Sequence, residues 1–157
     1  MMEFTHFDAK GNARMVDVSE KETSGRTAVA QGTIRVSEEV MEAVLGQKVK
    51  KGDVFTVAQI AGISGAKRTS DLIPLCHNIA LTNAEVTFET DPGLGIITVY
   101  CTAKTRSRTG VEMEALTGVC TALLTVYDMC KAIDKRMVIE DIHLLKKTGG
   151  KSGEFTF

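Results

Sequence analysis

The stretch from Arg108 to Asp134, RTGVEMEALTGVCTALLTVYDMCKAID, restricts the possible folds more than any other part of the chain. Leu116, Val119, Cys120, Leu123, Val126, Tyr127, Cys130 and Ile133 recur at steps of three and four, so they share one side of an α-helix and need an apolar surface to cover them. The opposite side carries Glu114, Thr117, Gly118, Thr121, Thr125 and Asp128, with Lys131 one turn beyond. A side that only met water would hold more Lys and Glu, whereas Thr and Gly let another backbone approach closely. The spacing therefore predicts that this side is covered as well, by a second copy of the chain.

The rest of the sequence supplies the surface that the helix needs. Arg26–Val36 alternates as a strand, with Gly32 as a bulge position. Ser37 caps a short helix that has acids in its first turn and ends at Gly46, and Asp53 caps a second that runs to Lys67. Arg68–Asn78 reads as a loop, because Pro74 biases Ile73 toward an extended backbone. Leu81–Thr90 and Ile96–Thr105 are strands joined by the hairpin punctuation Asp91-Pro92-Gly93-Leu94-Gly95. After the long helix, MVIEDIHLLKK forms a last strand. Residues 1–24 read as an irregular arm with a short candidate strand at Ala13–Val18, and residues 148–157 as a flexible tail. From Arg26 the order is βαββαβ, which predicts an α+β, ferredoxin-like fold: an antiparallel sheet with helices on one face.

At 157 residues the chain suits one domain, and a formal net charge of −1 provides no global field for nucleic acid or membrane, so anion binding must be local. No apolar run approaches the roughly 20 residues of a membrane span, and MMEFTHFDAKG lacks the blocks of a signal peptide; the expected location is cytoplasmic. Cys101, Cys120 and Cys130 fall at apolar positions as small hydrophobes. Cys76 precedes His77, but adjacent side chains point apart, so the dipeptide is no nucleophilic pair. The four cysteines have no zinc-like spacing and no carboxylates cluster, so no metal site or resident cofactor is expected; Mg²⁺ would arrive on a substrate phosphate.

Local chemistry concentrates at element ends. Arg26, Lys51, Lys67, Lys131 and Lys147 stand there, where loops gather and can hold phosphates. The tail GGKSG is no P-loop, since Leu145 stands where its first Gly belongs. Thr109-Gly110-Val111-Glu112 fits a capping box. Asp128 and Lys131, three apart, are neighbours on the helix; enclosed by a partner they would form an acid and a base shifting each other's proton affinity. Glu114 and Asp128 are fourteen residues apart, roughly 21 Å along the helix, too far for one small reacting centre. Either they meet opposite ends of a long ligand, or they belong to different sites of a symmetric assembly.

MVDVS, KGDVF, AKRTSDLIPLCHN, TGVEMEALTG, YDMCKAIDK and GGKSG together resemble the MoaC family of molybdenum cofactor biosynthesis over nearly the whole chain. The resemblance implies a ferredoxin-like subunit in a homohexamer, a trimer of dimers with active sites at the dimer interface. It implies a lyase that converts (8S)-3′,8-cyclo-7,8-dihydroguanosine 5′-triphosphate, a GTP-derived substrate, into cyclic pyranopterin monophosphate and pyrophosphate. By position, Asp128 is then the catalytic acid/base with Lys131 its partner. Leu75, Cys76 and His77, with Met113 and Glu114, line the substrate site; Arg26, Lys51, Lys67 and Lys147 hold the triphosphate, and Glu112 meets the pterin.

Two other classes compete. An RNA-binding ferredoxin-like module would stack bases on paired aromatics, yet aromatic content is 5% and no RNP-like run occurs. A non-catalytic oligomeric binder of a small anionic metabolite would use the same cations but would not need Asp128.

Overall fold

A computed structural model describes residues 5–157. β1 (Ser24–Arg35) turns Ala28, Ala30, Gly32 and Ile34 to one buried face. Ser37 accepts a hydrogen bond from the Val40 amide and starts α1 (Glu38–Leu45), whose Val40, Met41 and Val44 are buried. The Asp53 carboxylate accepts from the Phe55 and Thr56 amides and starts α2 (Val54–Lys67). The Arg68–Asn78 segment, expected as loop throughout, begins with one helical turn, α3 (Thr69–Leu72), before Pro74 stops it. β2 (Leu81–Asp91) and β3 (Ile96–Ser107) form the expected hairpin; α4 (Glu112–Cys130) and β4 (Val138–Thr148) follow. The chain closes with β5 (Phe155–Thr156), which pairs with Lys146 and Lys147 of β4.

The sheet runs β2-β3-β1-β4-β5 with every neighbour antiparallel, which is the ferredoxin-like order with one short strand added. Ile34, Ile97, Val99, Val119, Leu123 and Val126 are fully buried between sheet and α4. Gly32 permits that contact: a Cβ there would lie 2.7 Å from Val119 and 2.8 Å from Leu123. The irregularity expected at Gly32 falls on its partner strand. Between the Gln31–His143 and Thr33–Glu140 pairs, β4 carries one residue more than β1, and Asp141 takes φ 58° to accommodate it.

Four expectations need correction. The small-residue side of α4 is covered, but in its upper half by α2 of the same chain: Thr117 is 8% exposed, and a Cβ on Gly62 would stand 3.0 Å from the Gly118 carbonyl oxygen. Small side chains one turn apart admit a neighbouring helix from any source, and the nearest source is local in sequence. Ala13–Val18 makes no strand; a single bridge joins Phe7 to Ala13, and the Val16 carbonyl is engaged by a side chain instead. The capping box at the start of α4 does not form either. Val111 stands at the N-cap without a side-chain bond, the Thr109 amide is held by Ser107, and Glu112 has a stronger, charged partner elsewhere. Residues 148–157, read as a tail, turn through Gly149, Gly150 and Gly153 and return along β4, where Phe157 stacks on His143.

Candidate functional site

His77 is positioned by the arm that precedes the sheet. Its Nε2 lies 2.7 Å from the Val16 carbonyl, and because a carbonyl only accepts, Nε2 is the donor. Leu75, Cys76 and His77 follow the stop at Pro74, while Glu112, Met113 and Glu114 form the first turn of α4. These two short segments face one pocket of about 410 Å³. The arm adds Val16, Val18 and Lys21 to its wall, with Thr5 and His6. Sequence reading missed the arm. The polar run Ser19–Ser24 was its one signal, and no local pattern ties such a run to a distant histidine.

The pocket's two carboxyl groups differ in state. Glu114 is 4% exposed, and burial pushes its carboxyl above the usual glutamate range; the nearby Glu112 acts in the same direction, and His77 opposes. Burial would also raise Glu112, but Lys147 donates to its Oε1 at 2.8 Å, and that bond, with the charges of Lys147 and Arg26, holds it below the usual range. At the same rim Arg26 donates from Nε to the Ser107 carbonyl and from Nη2 to that of Arg108, tying the start of β1 to the loop before α4. The Cys76 thiol is raised, by burial first and by Glu114 second, which leaves it a neutral wall.

A second cluster stands at the other end of α4. Asp128 accepts from Lys131 at 2.7 Å and from Lys51, which follows α1, at 2.8 Å; these bonds depress its carboxyl to about 2. Lys131 is raised by the same contact. The group is open to water, with the Asp128 side chain 54% exposed, so it stands as a solvated triad. Lys67 is exposed at the C-terminal end of α2 and belongs to neither group. The fold thus gathers Leu75, Cys76, His77, Glu112, Met113, Glu114, Arg26 and Lys147 at one end of α4, and Lys51, Asp128 and Lys131 at the other. Among the described residues no group of three His, Cys, Asp or Glu side chains could hold a metal ion, and no helix is long and apolar enough to cross a membrane.

A ferredoxin-like α+β domain with a pocket lined by acids and cations at one end of its long helix is the class that fold and geometry define. Within it, the chain belongs to the MoaC family, whose model matches residues 15–150. It is 56% identical over 153 residues to a cyclic pyranopterin monophosphate synthase of Clostridium perfringens, covering 98% of this chain and 97% of that protein. With the synthase of Rhodospirillum rubrum the identity is 57% over 152 residues, 97% and 92% of the two chains. With that of Halalkalibacterium halodurans it is 51% over 157 residues, 99% and 95%.

Proposed function

We propose that this protein is a cyclic pyranopterin monophosphate synthase, a lyase of molybdenum cofactor biosynthesis in the cytoplasm. The observation that carries the reading is identity above half, over almost the full length, with proteins of that name. Its substrate is (8S)-3′,8-cyclo-7,8-dihydroguanosine 5′-triphosphate. A ribose oxygen attacks the α-phosphorus, the α–β bridging bond breaks, and pyrophosphate leaves, while the purine ring opens and recloses as a pterin.

The ring end occupies the pocket beside Leu75–His77 and Met113–Glu114, with Glu112 on the pterin, and Arg26 and Lys147 offset the phosphates. Asp128 is the acid/base and Lys131 its catalytic partner. Because Asp128 sits roughly 21 Å along the helix from Glu114, the pocket of one copy is completed by the Lys51–Asp128–Lys131 group of another. The working form is a homohexamer, a trimer of dimers with its sites at the dimer interface, and Lys67 reaches the triphosphate there. When substrate phosphates draw Lys51 away, Asp128 loses one of its two cations and its proton affinity rises toward a useful range; Lys131 remains to donate. Mg²⁺, where present, travels on the triphosphate, and no resident cofactor takes part.

The test is incubation of the purified protein with the cyclised nucleotide while pyrophosphate and pterin product are followed together. Stoichiometric appearance of both is expected. Binding without pyrophosphate release would leave a metabolite binder and remove the enzyme.

A further inference from the structure

β5 and the residue after it, Phe157, hold down a turn that touches both cations at the rim of the pocket. Gly149, Gly150 and Gly153 all take positive φ, which lets the chain leave β4 and reverse within a few residues. The turn lies directly on the start of β1: a Cβ on Gly149 would fall on the Gly25 carbonyl, and one on Gly150 on the Arg26 guanidinium. Lys147 donates to Ser152 of the turn at 3.1 Å as well as to Glu112 at 2.8 Å, so the turn shares the ammonium that meets the first acid of α4. Three glycines in the left-handed region give such a turn no stiffness of its own, and its far end must be held.

Phe155 pairs with Lys147 and Thr156 with Lys146, and the Phe157 amide donates to the Leu145 carbonyl at 2.9 Å. The Phe157 ring rests on His143, with centroids 4.3 Å apart. That imidazole is itself set in place: because a carbonyl only accepts, its Nδ1 donates to Asp141 at 2.9 Å, the residue whose φ of 58° makes the β4 bulge. Holding both ends closes the turn into a short loop, where a free end would sample many conformations. The strand adds little to the core, since Phe155 is 40% and Phe157 80% exposed, so its contacts are explained by what they position and not by burial. We propose that residues 155–157 form a clasp, with Phe157 and His143 as positioning residues that act through the turn to keep the Lys147 ammonium between Glu112 and Ser152. The clasp stands on this geometry alone; its consequence for the substrate rests on the function proposed above, in which Arg26 and Lys147 offset the phosphates.

Phe157→Pro, made in the full chain, deletes the amide donor and the stacking ring together, and Phe157→Tyr keeps both. Trypsin should cut after Lys151 at least about tenfold faster in the proline variant, and at the wild-type rate in the tyrosine variant. Equal rates in all three proteins would mean that the turn needs no clasp. The second measurement is stability against pH. Burial disfavours the Glu112 charge, while Lys147 and Arg26 favour it, with Glu114 the other acid nearby; the balance lies below the usual glutamate range, so the stability it adds is lost as pH falls. Phe157→Pro should flatten that acid-side loss toward the curve of Lys147→Met, and should change nothing further when added to Lys147→Met. An equal change in both backgrounds overturns the coupling and leaves the strand a local piece of structure. With the cyclised nucleotide, the KM of pyrophosphate release should rise about fivefold in Phe157→Pro while kcat stays within about twofold of wild type. An unchanged KM overturns the link to substrate. Absence of turnover in the wild-type protein would remove the synthase reading instead, and the trypsin and pH results would still decide the clasp.

Discussion

Gly65 of α2 lies so close to Thr121 of α4 that a Cβ on the glycine would fall on the threonine hydroxyl and within 2.7 Å of its Cβ. That approach is possible because Thr121 turns its hydroxyl along its own helix, donating to the Thr117 carbonyl at 2.8 Å, so no buried polar atom is left open under α2. Gly65→Val must push the helices apart, and overpacking of this kind costs about 1–3 kcal/mol. The expected result is a lower urea midpoint with an unchanged slope, measured on the purified protein. An unchanged midpoint would mean that the helices are not in van der Waals contact there.

Lys147 and Glu112 join β4 to the first turn of α4, each about a quarter exposed. Lys147→Met leaves a half-buried carboxylate without its donor and is expected to cost about 1–3 kcal/mol at pH 7. The pH dependence has a definite sign. Because Glu112 titrates below its ordinary 4.5 in the folded protein, its stabilisation is present above that value and lost as pH falls through the lower folded one. Stability of wild type should therefore fall more steeply in acid than that of Lys147→Met. Parallel curves would deny the coupling.

Glu114 has the opposite sign. Its folded value lies above the ordinary 4.5, so the fold favours the protonated form and loses that advantage as pH rises. Glu114→Gln imitates the neutral acid. The variant should melt several degrees higher than wild type at pH 7, and the gain should disappear below about pH 4, where both are uncharged. A gain that persists in acid would trace to packing instead.

Asp128 is exposed and makes its two strong bonds outside the core, so Asp128→Asn should leave melting temperature and assembly unchanged. With Asp128 as the proposed acid/base, the substitution is expected to reduce pyrophosphate release by about 10²–10⁴-fold. Turnover within a few-fold of wild type would withdraw the assignment.

Lys51→Ala removes one of the two cations on Asp128 and nothing from the core. Affinity for the proposed substrate should weaken by about tenfold, with the particle mass by light scattering unchanged from wild type. Unchanged affinity would deny Lys51 a phosphate role and leave it as a partner of Asp128 alone.

Much of the molecule was legible in its residues because the signals were local. Ser37, Asp53 and Gly46 marked helix ends through side-chain capping and chain reversal within a few residues, and the Asp91–Gly95 turn announced its hairpin. The βαββαβ order sufficed for the sheet topology, since few arrangements bury that set of faces. Reading failed where a local bond competed with a distant one. Thr109 and Glu112 had the spacing of a capping box, but a lysine 35 residues away offered the carboxylate a charge-assisted bond, and that is the stronger contact.

The sequence alone determined the long helices and the four long strands, which helix faces must be covered, and that cations and acids would gather at element ends, because periodicity and capping act over one or two turns. Only the tertiary structure decided what covers each face and which ends meet. Thr117, Gly118 and Thr121 called for a close neighbour without specifying α2, and His77 called for a partner without specifying Val16, 61 residues earlier. Such pairings depend on how the whole chain closes around its core, and no spacing along the chain records them.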